Sequence, residues 1–221
     1  MNPIILESCV SSLAEAILAE QNGANRLELC ARLDLDGLTP ASKLVTQVLD
    51  AVQIPVKVMI RSREGDFTYT SKVMQDIKKD IDLMKACGVT HFVFGSITNK
   101  ILDLSQLELV TDYIEKDNYP LSSLTIHKAI DTSQDILGDI ARLLESSFYK
   151  KASASAIQLS ILTSGGDNTA IEGSHVIRQM IDIADNRIEI IAAGQITHSN
   201  LHLVQQKIGG QSYHGKRIVA L

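Results

Sequence analysis

Three sulfur-bearing residues and a set of charges stand at spacings that could do chemistry. Cys9, Cys30 and Met59 fall within the runs "ILESCV", "RLELCA" and "VKVMIR". Each run reads as a β-strand, in which alternate side chains share a face. In the second, Leu27, Leu29 and Ala31 lie on one side, and Arg26, Glu28 and Cys30 on the other. The same alternation groups Ile5 with Glu7 and Cys9, and Lys57 with Met59 and Arg61 opposite Val56, Val58 and Ile60. Further on it groups Thr125 with His127, Gln158 with Ser160, and Arg187 with Glu189 opposite Ile188 and Ile190. If these charged faces converge, Cys9, Cys30 and Met59 are candidate metal ligands. Glu7, Glu28, Arg61, His127 and Asp131 are candidates for acid–base work on a small phosphorylated or carboxylated substrate, with Asp131 or Glu28 orienting His127, and Arg61 and Lys128 holding the anion. No CxxC or paired-His spacing accompanies the sulfurs, and a free cysteine is also among the residues most often buried for packing alone. Cys87 follows a helical stretch and reads as packing; His175, His198 and His202 read as surface.

The elements that must position these residues alternate along the chain. Strands are predicted near Ile4–Cys9, Arg26–Ala31, Val56–Arg61, Phe92–Gly95, Leu124–Ile130, Ile157–Thr163, Ile188–Gly194 and Ser212–Lys216. Amphipathic stretches near Ser11–Gln21, Ala41–Val52, Ser71–Ala86, Ser105–Glu115, Ser133–Leu144, Thr169–Ala184 and Ser199–Lys207 separate them. Eight strands interleaved with helices predict parallel βα units closing into a (β/α)8 TIM barrel, a single domain over residues 1–221. An open doubly wound sheet usually has fewer strands and often a glycine-rich first turn, whereas the turn here is "ESCVSS". After the last strand only Arg217 to Leu221 remain, so the eighth helix is expected to be short or missing. The outer surface left bare there predicts a homo-oligomer.

In a barrel the apolar face of each strand packs outward on the helices, so the charged face must line the lumen. Buried charges are costly unless paired, so Glu7, Glu28 and Glu189 are expected to meet Arg26, Lys57, Arg61 and Arg187. Barrel sites form at the C-terminal strand ends, where two glycine loops also fall: "LTSGGDN", with Ser164, Gly165 and Gly166, and "AAGQITHSN", with Gly194. With Gly215 beyond them, and Lys128 nearby, their free amides could bind an anion; the plainer reading is that glycine makes tight turns. "RSREGDFTYT" (Arg61–Thr70) reads as a lid over the mouth or an ordinary solvated loop.

Composition narrows the partners. With 21 Lys+Arg against 26 Asp+Glu, a net charge of −5 and no basic run, a nucleic-acid or anionic-membrane surface is not expected. No apolar stretch approaches the roughly 20 residues of a membrane span, and "MNPIILESC" lacks the features of a signal peptide. Three scattered cysteines suit a reducing, cytoplasmic location.

Taken in order, "LELC", "GLTP", "VMIRSREGDFTY", "VFG", "HKAID", "LTSGG" and "HG" (His214–Gly215) resemble the CutC copper-homeostasis family, from about residue 7 to residue 215. The resemblance implies a TIM barrel, a cytoplasmic oligomer and a role in copper handling through Cu(I), which prefers soft thiolate and thioether ligands such as Cys9, Cys30 and Met59. The sequence departs from the family in three places. Lys128 stands where many relatives have Arg, Gln195 interrupts a glycine run, and the C-terminal segment is shorter.

Overall fold

In a computed structural model of the chain, which describes residues 4–220, strands and helices alternate as the patterns require. The strands are β1 (Ile5–Val10), β2 (Arg26–Leu29), β3 (Val56–Met59) and β4 (His91–Val93). A short antiparallel hairpin follows, β5 (Ile97–Thr98) with β6 (Ile101–Leu102), and then β7 (Ser123–Ile126), β8 (Gln158–Thr163), β9 (Glu189–Ala192) and β10 (Ser212–Gly215). All but the hairpin join in parallel in the order β1-β2-β3-β4-β7-β8-β9-β10, and β10 pairs with β1 to close an eight-stranded TIM barrel.

Helices α1 (Leu13–Gln21), α2 (Ser42–Ala51), α3 (Ser71–Ala86), α4 (Leu104–Glu115), α5 (Ile136–Glu145), α6 (Ser147–Ala154), α7 (Ser174–Ala184) and α8 (Leu201–Ile208) surround it. Their starts follow from local chemistry. The Ser12, Thr70, Asp103 and Asp135 side chains accept from the backbone N–H of Glu15, Val73, Gln106 and Gly138. Gly23 and Gly88 adopt φ of 91° and 82° just past α1 and α3, the left-handed turn that commonly ends a helix. The sequence pattern missed α6, which begins immediately after α5 because Ser146 turns extended and caps it at the Tyr149 N–H. α5 and α6 share one crossover. Among the described residues no helix follows β10; Arg217 bridges instead to Thr197 in the loop before α8.

The fifth barrel strand, β7, ends at Ile126, short of the expected Ile130. His127 accepts the Ala129 N–H on its own ring nitrogen Nδ1, 3.1 Å away, and caps a 3-10 turn over Lys128–Thr132. His127 and Asp131 therefore sit on that turn.

The alternation of faces holds around the barrel. Val10, Leu27, Leu29, Val58, Phe92, Leu124, Ile161 and Tyr213 belong to one buried apolar core shared with helix residues such as Ala16, Val48, Ile77 and Ile140. Burying each large aliphatic side chain there contributes about 1.5–3 kcal/mol. The other face of each strand lines the lumen, where ions and sulfur replace much of the branched aliphatic layering common in such barrels and Val93, Leu162 and Ile191 supply the apolar remainder.

Candidate functional site

Glu7, on β1, is the centre of the lumen and is fully buried. Its carboxylate accepts from Arg26 on β2, from Lys57 on β3 at 2.9 Å and from His214 Nδ1 on β10 at 2.8 Å. Burial alone would raise its pKa, but Lys57, His214 and Arg26 outweigh burial and hold it well below the ordinary carboxylate value. Arg26 also reaches Glu189 on β9 at 2.9 Å, and Lys57 crosses the barrel to Ser160 Oγ, which bonds Thr125. Two expected members stand elsewhere. Arg187 precedes β9, is exposed, and donates to the Ile183 carbonyl. Arg61 lies beyond the end of β3, where the chain has left the barrel wall, and it donates to the carbonyls of Leu35, Gly37 and Gly65.

Toward the C-terminal ends of the strands the lumen turns to sulfur. Cys9, Cys30 and Met59 pack together with Val93 in a small buried cluster. Glu28 Oε1 lies 3.5 Å from Cys30 Sγ and 3.9 Å from Cys9 Sγ. One ligand atom from each of Cys9, Glu28 and Cys30 fits within 4.8 Å of the others. The Cys30 thiol, followed by His214, stabilises negative charge on Cys9 and brings its pKa down to about 5 despite burial. Sharing a proton with Cys9, together with burial, pushes Cys30 up. Burial is also the main reason that Glu28 rises to about 7. His214 goes up against its burial because Glu28, Cys9 and Glu7 surround it. Sequence reasoning quoted His214 within a motif but gave it no role. The signal was there in "SYHG", where Ser212 and His214 alternate with the outward Tyr213.

Above the sulfurs a cavity of about 350 Å³ opens, lined by Cys9, Glu28, Cys30, Met59, Arg61, His127, Lys128, Asp131, Ser164 and His214 among others. Of the five acid–base candidates it gathers Glu28, Arg61, His127 and Asp131; Glu7 lies beneath. Neither Asp131 nor Glu28 orients His127, whose Nδ1 is held by the Ala129 N–H while Phe67 tilts against the ring at 5.0 Å. Burial, then Arg61, lowers the His127 pKa to about 3, so the ring is neutral. Gly95 makes room for it: a Cβ there would lie 2.7 Å from Nδ1.

The first glycine loop is occupied from within. Asp131 accepts from Thr163 Oγ1, the Ser164 N–H and hydroxyl at 2.9 and 2.8 Å, and the Gly166 N–H at 3.1 Å, with Lys128 3.7 Å away. The Gly165 N–H goes to Thr163 Oγ1. The amides expected to hold an external anion thus hold the chain's own carboxylate. Gly194 and Gly215 line an adjoining groove of about 440 Å³ with Lys128, where their missing side chains let backbone pack closely: a Cβ on Gly215 would meet the Ile196 carbonyl oxygen at 2.2 Å. The Arg61–Thr70 loop is pinned, with Ile97 N–H bonded to the Phe67 carbonyl and Arg63 to Asp66 and the Thr68 carbonyl. Cys87 caps α3 and points to the Ser42 carbonyl, and His175, His198 and His202 are exposed.

Comparison with known proteins agrees with this architecture. The CutC family model matches residues 4–219. A copper homeostasis protein cutC homolog of Mus musculus is 37% identical over 218 residues, covering 96% of this chain and 73% of its own. A family protein CutC of Pasteurella multocida is 31% identical over 95% of this chain and 80% of its own. The crystal structure of CutC from Streptococcus agalactiae superposes with a TM-score of 0.83 at 28% identity, covering 98% of this chain and 100% of that one. A phosphonomutase from Burkholderia cenocepacia, at 12% identity and a TM-score of 0.60, shares the fold alone. The chain belongs to the CutC family.

Proposed function

We propose that this CutC-family chain serves copper homeostasis by holding Cu(I) between Cys9 and Cys30, with the Met59 thioether beside them. The observation that carries the reading is the convergence of two buried thiols from adjacent strands on one cavity, in contact with Met59. Soft sulfur donors match Cu(I), and a low-coordinate ion needs only the two thiolates. A disulfide suits the pair less well. In register Cys9 faces Glu28, and Cys30 lies two residues further on, about 6.6 Å along the strand in addition to the roughly 4.8 Å between strands, past the Cα separation that a disulfide spans without backbone movement. A reducing, cytoplasmic setting and self-association over the side beyond β10, after which the described residues form no helix, belong to the same reading.

The test is an anaerobic Cu(I) titration against a competing chelator, on the wild type and on the Cys9→Ser/Cys30→Ser double variant. Tight binding of a single equivalent, lost in the variant, is expected, and the wild type should keep all three thiols titratable after mild air oxidation. Weak binding, or tight binding that ignores both cysteines, would overturn the site. One observation favours a second reading, proton transfer on a small carboxylated or phosphorylated substrate. Glu28, titrating near 7, faces the cavity as an acid–base group would. Under that reading the cysteines are dispensable and Glu28→Gln abolishes turnover.

A further inference from the structure

Two buried side chains on the cavity wall carry N–H groups with no partner. His127 is 3% exposed; its Nδ1 accepts from the Ala129 N–H, so the ring proton sits on Nε2, and Nε2 has no acceptor. Arg61 is 2% exposed; its two terminal nitrogens are committed to the carbonyls of Leu35, Gly37 and Gly65, and its Nε has no acceptor. Buried donors left unpaired cost free energy that an incoming acceptor would recover. The Phe67 ring covers both, 5.0 Å from the His127 ring and 4.9 Å from the Arg61 guanidinium carbon. The Phe67 backbone is held in place, its carbonyl accepting from the Ile97 N–H and the Ser96 hydroxyl, so the covering is a matter of one side-chain rotation.

We propose that Arg61 and His127 form a binding site for the carboxylate group of a small monoanionic organic acid, which displaces the Phe67 ring and accepts from Arg61 Nε and His127 Nε2. Two oxygens in one plane match two donors, one of them cationic. The charge of the ligand follows from the rest of the wall. Glu28, Asp36, Asp131 and Asp167 line the same cavity, and its other cations already face carboxylates, Lys128 beside Asp131 and His214 beside Glu7 and Glu28. A singly charged ligand therefore suits the wall better than a dianion, while Leu33 and Leu162 offer an apolar surface to the body of a short acid. The low pKa of His127 supports the assignment, because a neutral ring keeps a single N–H donor across the physiological range. β7, which leads into His127, stands across the closed barrel from β1, which carries Cys9. His127 and Cys9 therefore line opposite sides of one cavity, and the carboxylate site requires neither the thiols nor copper.

The experiment uses the copper-free protein, with nitrogen-15 correlation spectra of the His127 ring followed during titration with butyrate and, separately, with inorganic phosphate. Butyrate is expected to shift Nε2 saturably, and Phe67→Ala to tighten its binding by removing the cover. His127→Asn retains an acceptor for the Ala129 N–H but has no Nε2 donor. It should weaken butyrate binding about 10- to 100-fold, as loss of a hydrogen bond to a charged group does; a melting curve shows whether this variant folds, and if it does not, Phe67→Ala decides. The absence of saturable butyrate binding in both wild type and Phe67→Ala overturns the proposal. So does butyrate binding that a folded His127→Asn leaves intact, or phosphate binding as tight as butyrate.

Discussion

Replacing Glu7 with Gln removes the one carboxylate that Arg26, Lys57 and His214 share. Glu7 is fully buried and Lys57 only 4% exposed, so water cannot take over the lost contacts. The Gln amide would also present donors to cations that can only donate. Breaking a buried ion pair from one side costs about 3–5 kcal/mol. In a domain of this size each kcal/mol lowers Tm by about 2–4 °C, which puts Glu7→Gln about 6–20 °C below wild type. The pH dependence has a definite sign. Folded Glu7 titrates well below its ordinary value, so its contribution is complete above the unfolded carboxylate pKa and disappears as pH falls through the folded one. Circular-dichroism melts should show the full gap between about pH 5 and pH 6.5, a narrowing gap in more acidic buffer, and a partial narrowing in alkaline buffer as His214, whose pKa Glu7 helps to raise, loses its proton. Glu7→Gln/Lys57→Met, which removes both sides of a pair, should recover part of the loss. A Glu7→Gln variant melting within about 2 °C of wild type at neutral pH, against the range worked from the buried pair, would refute the claim that this network holds the lumen together.

Two further substitutions test the walls of the cavity. Gly95→Ala places a methyl 2.7 Å from His127 Nδ1 and 3.2 Å from the Ala129 Cβ; the ring must shift, at a cost of about 1–3 kcal/mol, and an unchanged melt and an unchanged His127 ring spectrum would contradict the packing. Asp131→Asn weakens the cradle over Thr163–Gly166, costing about 1.5–3 kcal/mol. Hydrogen exchange at the Ser164 and Gly166 amides should accelerate, and unaltered protection there would show that Asp131 does not hold the loop.

The barrel and its lumen were legible because a strand's side chains alternate without exception over four to six residues. That rule alone put Glu7, Glu28, Lys57 and Glu189 inside and Leu27, Val58 and Ile190 outside, and applied to "SYHG" it would have found His214. It stopped working where the strands stop. Arg61 lies two residues beyond β3, and its guanidinium follows the loops that curl over the mouth. His127 ends β7 by capping its own turn, a bond between a ring and the amide two residues on that no hydrophobic period registers. The filling of the glycine loop was hidden for another reason. Asp131 and Ser164 are 33 residues apart, and only the closure of β7 against β8 brings them together.

The charges in the lumen bear on what the sulfur site can hold. Arg26, Lys57 and His214 are cations there; Glu7 and Glu189 are the carboxylates bonded directly to them. Glu28, titrating near 7, supplies only part of a further negative charge at neutral pH. The network beneath the sulfurs is therefore short of one negative charge, and the Cys9 thiol, titrating near 5 beside His214, supplies it in the metal-free protein. A Cu(I) ion between two thiolates carries the same single net negative charge as the Cys9 thiolate alone, so it enters without disturbing the balance. A hard divalent cation at the same place would upset that balance and find sulfur where it needs oxygen. Under the copper reading the buried ions do more than set the register of the strands: they make the top of the lumen favourable for a bis-thiolate complex.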